Sequence, residues 1–420
     1  MTDSPSEQAP PPEGLRALLR QRAFVVFWIS RFLAVLATQA QAVTIAWQVY
    51  ELARRTSSVE QAAFALGMIG LAQFLPLFAL TLVAGDTADR HDRRVVMACC
   101  LVLEVFCVGG LMLLTRGGVA TLWPIFSLAV VFGAARAFMG PASTALAPSL
   151  VPLPLLPRAI AWNSLSWQGA SIAGPALGGL LCAISPEVSY TVIGAIFLVA
   201  LALLMTVKAP RPKVRHTASR VALIKEGLIY VWRQKIVFGS ISLDLAAVLL
   251  GGASALLPVF ARDVLHVGAE GFGVLRASPA IGASAVAFYL AARPIKRHAG
   301  IAMFSGVAIF GLATLVFAFS RSMWLSVAAL AVLGAGDMVS VFVRQSLVQI
   351  VTPDEMRGRV AAVSTLFIGA SNELGEFESG VAARLLGPVG AAIFGGAGAL
   401  VVTGVWARLF PDLRKADRLT

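Results

Sequence analysis

Twelve blocks of mostly apolar residues, separated by short polar segments, divide the chain. They run over 24–50, 62–84, 94–115, 119–148, 158–184 and 188–207, then 236–262, 268–292, 301–320, 323–350, 360–386 and 388–408. About 20 apolar residues in a helix cross the roughly 30 Å hydrocarbon core of a bilayer, and the blocks are of that order. Lipid offers no partner to a backbone N–H or C=O, so segments facing it must be helices. The pattern predicts an all-α integral membrane protein with twelve transmembrane helices. Gly and Pro are frequent, 38 and 21 in the chain, and many fall inside the blocks. In water that would argue against helices; in a membrane bundle small residues let helices approach closely.

The largest polar stretch, 208–235, lies mid-chain and carries Lys208, Arg211, Lys213, Arg215, Arg220, Lys225, Arg233 and Lys235. Its second half, 221–232, reads as an amphipathic surface helix. The expected organisation is an N-terminal tail 1–23, a six-helix bundle 24–207, the linker 208–235, a second bundle 236–408 and a C-terminal tail 409–420. The halves repeat. A shift of 201 residues places Leu333-Gly-Ala-Gly-Asp337 on Phe132-Gly-Ala-Ala-Arg136, Pro353 on Pro152, Arg359 on Arg158, Gly375 on Gly174 and Gly380 on Gly179. Two pseudo-symmetric six-helix bundles with the same orientation follow.

The basic residues set the topology. Of 34 Lys and Arg, six (Arg54, Arg55, Arg116, Arg262, Arg321, Arg384) fall in the loops of one side, and four (Arg31, Arg136, Arg276, Arg344) within or near the ends of blocks. The rest lie in the loops of the other side and in the termini. Lys and Arg gather on the cytoplasmic side, so both termini are expected there.

Composition removes other readings. The chain is 58% hydrophobic and 13% charged, with a mean hydropathy of +0.81; a soluble domain carries about 25% charged residues. The net charge of +12 is carried by short loops. That is a topology signal rather than a basic groove, so no nucleic acid partner is expected. Cys99, Cys100, Cys107 and Cys182 lie in apolar segments without metal-ligand spacing, and no metal or other cofactor is implied. No G-x-x-x-x-G-K-S/T, H-E-x-x-H or G-x-S-x-G pattern occurs, so nothing points to ATP hydrolysis or an enzyme. The first apolar block is too long for a signal-peptide core.

The loop after the second block reads Gly85-Asp-Thr-Ala-Asp89-Arg90-His-Asp92-Arg93-Arg94. It resembles the helix 2–3 signature of the major facilitator superfamily, G-x-x-x-D-R-x-G-R-R/K. Gly85, Asp89, Arg90, Arg93 and Arg94 match, and Asp92 replaces the usual Gly. The resemblance implies a cytoplasmic latch that holds the two halves in the outward-facing state. A carboxylate at a helix end bonding N–H groups and Arg across a seam would supply the physics. The fifth block carries Gly169, Gly174, Pro175, Gly178 and Gly179. It is similar to the G-P-x-x-G-G signature of that superfamily's antiporters and exporters, which implies export. Thr352-Pro-Asp-Glu-Met-Arg-Gly-Arg-Val360, with Arg136-Ala-Phe-Met-Gly-Pro141, looks like the enterobactin-exporter branch, and the likeness covers nearly the whole chain. The resemblance also implies a bacterial inner membrane and a monomer.

Ionisable groups inside spans are functional candidates by default. In the resembled fold helices 1, 4, 7 and 10 line the central cavity, which puts Arg31, Arg136, Asp244, Asp337 and Arg344 there. Ion pairs across the two-fold axis, Arg from the first half and Asp from the second, are expected. Such arginines also suit an anionic substrate; the alternative for each is a structural pair that fixes packing. Glu104 on helix 3 and Glu373, Glu376 and Glu378 on helix 11 fall on helices usually peripheral to the cavity. His91, His216, His266 and His298 lie in loops or at span ends. Protons, if coupled, are therefore expected on Asp244 or Asp337, then on Glu104, Glu373 or Glu376. The leading expectation is a proton-coupled exporter of a small molecule such as a drug or siderophore. The alternative is a facilitator or symporter importing an anionic metabolite.

Overall fold

The computed structural model describes residues 15–208, 220–295 and 297–417. The Pro-rich start of the N-terminal tail, Arg211, Lys213, Arg215 and His216 of the linker, and the last three residues lie outside them. Eleven helices follow the apolar blocks as α1 (Arg22–Arg54), α2 (Val59–Arg90), α3 (Arg93–Arg116), α4 (Leu122–Leu146), α5 (Leu156–Ile184), α6 (Pro186–Thr206), α7 (Lys235–Gly251), α8 (Gly268–Ala292), α9 (Ala299–Phe319), α10 (Met323–Val351) and a final run Asp354–Leu409. That run breaks at Gly387, where φ is 75° and ψ 165°. This conformation is open essentially to glycine alone. Pro388 restarts the chain, so the run is two spans, α11 (354–386) and α12 (388–409). The fold is the twelve-helix arrangement of a multi-pass membrane protein, and the described residues contain no β-strand.

Helix ends are set by caps rather than by the apolar pattern, so several helices overrun their blocks. Ser58 opens α2 with a reciprocal capping box: its side chain accepts from Gln61 N, and Gln61 Oε1 accepts from Ser58 N. Asp92 opens α3 by accepting from Arg94 N at 2.9 Å, which gives a local reason for the Asp that replaces the motif glycine. Ser185 caps α6 through Val188 N, with Pro186 in the first turn. α7 ends early at Gly251. A 3-10 turn (Ala253–Leu256) and a π turn (Phe260–Val264) carry the chain on. The Gly252 carbonyl freed at this break accepts a hydrogen bond from Ser379 Oγ of α11 at 2.7 Å, as a backbone away from water requires.

The helices pack as two like sets. In the first, α2 lies on α4, α1 on α5 and α6, and α3 on α4 and α6; in the second, α8 lies on α10, α7 and α9 on the α11–α12 run, and α9 on α10. The repeat is visible at single contacts. Gly174 abuts α1 at Leu36 O, and Gly375 abuts α7 at Val248 O. Gly133 faces Gln73 O of α2, and Gly334 faces Pro279 O of α8. The sets meet along two crossings related by the same pseudo-symmetry, α2 with α11 and α5 with α8. A Cβ on Gly380 would stand 2.7 Å from Gly67 Cα, and one on Gly179 would stand 2.7 Å from Gly273 Cα. Only glycine lets backbones approach so closely.

The C-terminal turn (Pro411–Arg414) docks at the start of α9, where Gly300 N donates to Ala416 O and His298 N to Asp417 Oδ1, both at 2.8 Å. With an even number of spans, both termini lie at this end. The glycine crossings lie towards the opposite end. There, at the tips of α1 and of the α7 extension, Arg54 pairs with Asp263 at 3.3 Å and Glu51 with Arg262 at 3.2 Å. Tyr50 OH donates to Asp263 Oδ2. Arg384 of α11 stands over the Phe64 ring of α2, 4.9 Å from its centroid. The seam between the halves is clasped at the end away from the termini.

Candidate functional site

At mid-depth, α1, α2, α4, the α7 extension, α8 and α11 leave a cavity of about 100 Å³. Its walls include Val43, Leu66, Ile69, Phe132 and Phe272, and its polar groups are Thr38, Gln39, Gln73, Arg136, Ser254, Arg276, Glu373 and Glu376. Arg136 of the first half reaches across the seam to Glu373 of the second, Nη1 to Oε1 at 3.2 Å, and donates to Gln73 Oε1 at 3.1 Å. Arg276 of α8 pairs with Glu376 at 3.1 Å. Glu373 and Glu376 are one helical turn apart and so share a face. Positive and negative groups therefore alternate across the cavity, each neutralised by a neighbour.

Exposure separates these pairs from the other intramembrane pair. The cavity side chains are 14–34% exposed, so a polar ligand or water can compete for them. Asp244 and Arg344 are 7% and 4% exposed and bond at 2.6 Å. They lie inside the second half, not across the axis. Asp244 of α7 and Asp337 of α10 border a small space closed by Val307 and Phe310 of α9. The cavity expected for Asp244, Asp337 and Arg344 is thus not where the structure puts them, and neither Arg31 nor Arg136 meets an aspartate of the second half. The physical reason is local satisfaction. A buried carboxylate and guanidinium on adjacent helices of one bundle neutralise each other without depending on the moving seam. Asp337 has no hydrogen bond or ion pair among the described residues.

The structure moves other sequence candidates too. α11, expected at the periphery, delivers Glu373 and Glu376 to the cavity, because its crossing with α2 turns that face inward. Glu104 of α3 is buried, and its Oε2 has no partner among the described residues. Arg31 lies on the α1 stripe that runs through Val35, Thr38 and Ala42, two turns from the cavity towards the termini, with no ion pair among the described residues. Arg276 was visible in the sequence only as a charge near a span end. Gln73, Tyr50 and Asp263 carried no signal there, since a glutamine, tyrosine or aspartate at such a position is unremarkable until its partner is known.

The two motifs occupy distinct places. Gly85 is buried in the last turns of α2, and Asp89 and Arg90 are exposed at its end. Arg90 pairs with Asp86 at 2.9 Å. Arg93 Nη1 donates to Ala145 O at 2.9 Å and Arg94 Nη1 to Val207 O at 3.0 Å, tying the loop to the ends of α4 and α6. In α5, Gly174 and Gly178 seat against α1 of the same half, while Pro175 and Gly179 seat against Gly273 of the other half. Gly169 meets only the Phe32 ring edge at 3.5 Å, an ordinary contact.

A family model for transmembrane secretion effectors matches residues 14–419. The multidrug efflux pump Tap of Mycobacterium tuberculosis is 28% identical over 406 residues, covering 92% of this chain and 93% of that one. The enterobactin exporter EntS of Citrobacter koseri is 24% identical over 409 residues, covering 96% and 95%. Among solved structures, a POT family transporter in complex with 5-aminolevulinic acid superposes with a TM-score of 0.72 at 12% identity, covering 93% of this chain and 96% of that one. That likeness shows the fold.

Proposed function

The chain belongs to the transmembrane secretion effector family of major facilitator transporters, and from that premise we propose that it is a secondary active exporter of a small molecule, driven by protons. The observation that carries the reading is the Arg136–Glu373 pair, which spans the seam inside a cavity shared by both halves. A pair of this kind is made or broken whenever the halves rock about a midplane site. With the far end clasped, the cavity would be reached from the end that bears the termini. Substrate entering there competes for Arg136 or Glu373, and the freed carboxylate can take a proton. Export is the direction supported by the relatives named as an efflux pump and an exporter. Asp337 and Glu104, intramembrane carboxylates without an ion pair among the described residues, are the further proton carriers in this reading. The loop of Gly85, Asp89, Arg90, Arg93 and Arg94 would latch the opposite conformation. The site is the inner membrane, with both termini cytoplasmic and the protein acting as a monomer.

One feature favours a second reading. Arg31, on the cavity stripe and with no ion pair among the described residues, could hold an anionic metabolite entering the cell. A single assay separates the two. In inverted membrane vesicles an inward-acidic gradient is imposed, and uptake of fluorescent drugs and of catecholates is followed. For an exporter with cytoplasmic termini, the gradient drives uptake and added protease removes the exposed C-terminal tail. Glu373→Gln is expected to cut the initial rate by about tenfold or more, the scale of one lost charge-assisted contact. Uptake indifferent to the gradient and to Glu373→Gln would overturn proton-driven export. Arg31-dependent movement of anions in either direction would instead support the facilitator.

A further inference from the structure

The helix Arg220–Arg233 lies at the end of the molecule that bears the termini, level with the tips of the spanning helices. Its inner face is tightly held. A Cβ on Gly227 would stand 2.8 Å from Arg359 O. Val231, 3% exposed, packs with Val237, Ile241, Val360 and Val363. Tyr230 OH donates to the carbonyl of Val351, the last residue of α10, at 3.1 Å, and Glu226 pairs with Arg359 of α11 at 2.5 Å.

The opposite face is apolar and open. Leu228, Ile229 and Trp232 are 43%, 42% and 71% exposed, and they share one stripe by helical spacing. Lys225 stands one turn before the stripe, Arg233 ends the helix and Lys235 opens α7, and all three are exposed. A helix facing only water would be expected to carry polar residues here. Trp232 also joins a chain of rings. Its centroid is 4.9 Å from that of Phe238, Phe238 is 6.0 Å from Phe410, and Phe410 is 6.3 Å from Trp406. The chain links the helix to the tips of α7 and α12. Such aromatic belts mark the headgroup level of a bilayer. An apolar stripe with Trp, bordered by Lys and Arg at that depth, suits insertion between anionic headgroups.

We propose that this helix is a docking surface for anionic phospholipid headgroups of the leaflet at the termini end. Leu228, Ile229 and Trp232 enter the acyl boundary, and Lys225, Arg233 and Lys235 hold the phosphates. Charge complementarity favours lipid over a protein partner, because the exposed charges beside the stripe are three cations and Glu226, whose carboxylate is already paired with Arg359. Through Glu226–Arg359 the lipid contact would also brace the foot of α11.

The test uses the full chain in vesicles of acyl-brominated phosphatidylglycerol or phosphatidylcholine. The chain has 8 Trp, so Trp232 is read as the difference between wild type and Trp232→Phe. The expected result is quenching of the Trp232 component by lipids brominated near the glycerol. Brominated phosphatidylglycerol should be preferred over phosphatidylcholine by about fivefold for each basic residue engaged. The triple variant Lys225→Gln, Arg233→Gln, Lys235→Gln should bring that ratio close to one, and Arg233→Gln alone should move it part of the way. An unquenched Trp232 would mean that the face meets water or a protein and would overturn the proposal. So would a headgroup preference unchanged by both substitution sets.

Discussion

Charge inside a bilayer is expensive, and at the residue scale what matters is how each charge is compensated. Asp244 and Arg344 are nearly sealed from solvent and bond at 2.6 Å, whereas Arg136–Glu373 is longer and partly exposed. The first pair is built to stay made and the second can be exchanged. Asp244→Asn takes from the buried Arg344 guanidinium the carboxylate it bonds and is expected to destabilise by about 3–5 kcal/mol, read as a lower unfolding midpoint in detergent. Asp244→Leu with Arg344→Met should recover most of that loss, because a buried pair replaced by apolar groups of similar volume is often neutral. A single substitution as harmless as the double would mean that the pair is hydrated. The sequence marked Asp244, Asp337, Arg344 and Arg136 as costly charges within spans. It did not tell which would meet, since that depends on how each helix is rotated against its neighbours.

At the scale of elements, close crossings of small residues decide how the halves touch. Gly179→Ala would put a methyl group 2.6 Å from Ala269 O and 2.7 Å from Gly273 Cα. Neither atom can yield without moving backbone. The expected cost is about 1–3 kcal/mol of overpacking, again read as the unfolding midpoint. Gly169→Ala, whose nearest neighbour is a ring edge at 3.5 Å, should leave the midpoint unchanged. Equal effects would show that the motif's glycines act through helix flexibility rather than through the crossing. The motif itself was legible in the sequence. That Gly179 serves the seam while Gly174 and Gly178 serve α1 was not, because Gly174 and Gly178, four apart, share a face and the adjacent Gly179 is turned away from it, and which neighbour each face meets is set by packing.

At the scale of the molecule, the tips of α1 and the α7 extension hold the far end shut. Asp263 receives both Tyr50 and Arg54, and Arg262 meets Glu51. Tyr50 is buried, but the charged side chains are partly exposed, so the ion pairs are of the modest strength that a reversible closure needs. Spin labels at Thr56 and Glu270, exposed on either side of the seam, should report a single short distance in the wild type. In Asp263→Asn combined with Arg262→Gln they are expected to report a growing long-distance population. An unchanged distribution would assign closure to the glycine crossings alone.

The sequence by itself determined the spans, their number and the repeat, because the bilayer permits only helices of a certain length and composition and the two halves share a packing pattern. Even the hidden division of the last helical run was there in Gly387-Pro388. Only the tertiary structure decided that α11 carries Glu373 and Glu376 into the cavity and that Asp244 turns to Arg344 within its own half. It alone brought Tyr50 beside Asp263, 213 residues away in the chain. Hydropathy records whether a segment faces lipid. Which polar group meets which is fixed by helix rotation and crossing, which depend on many contacts at once and leave no periodic mark on the chain.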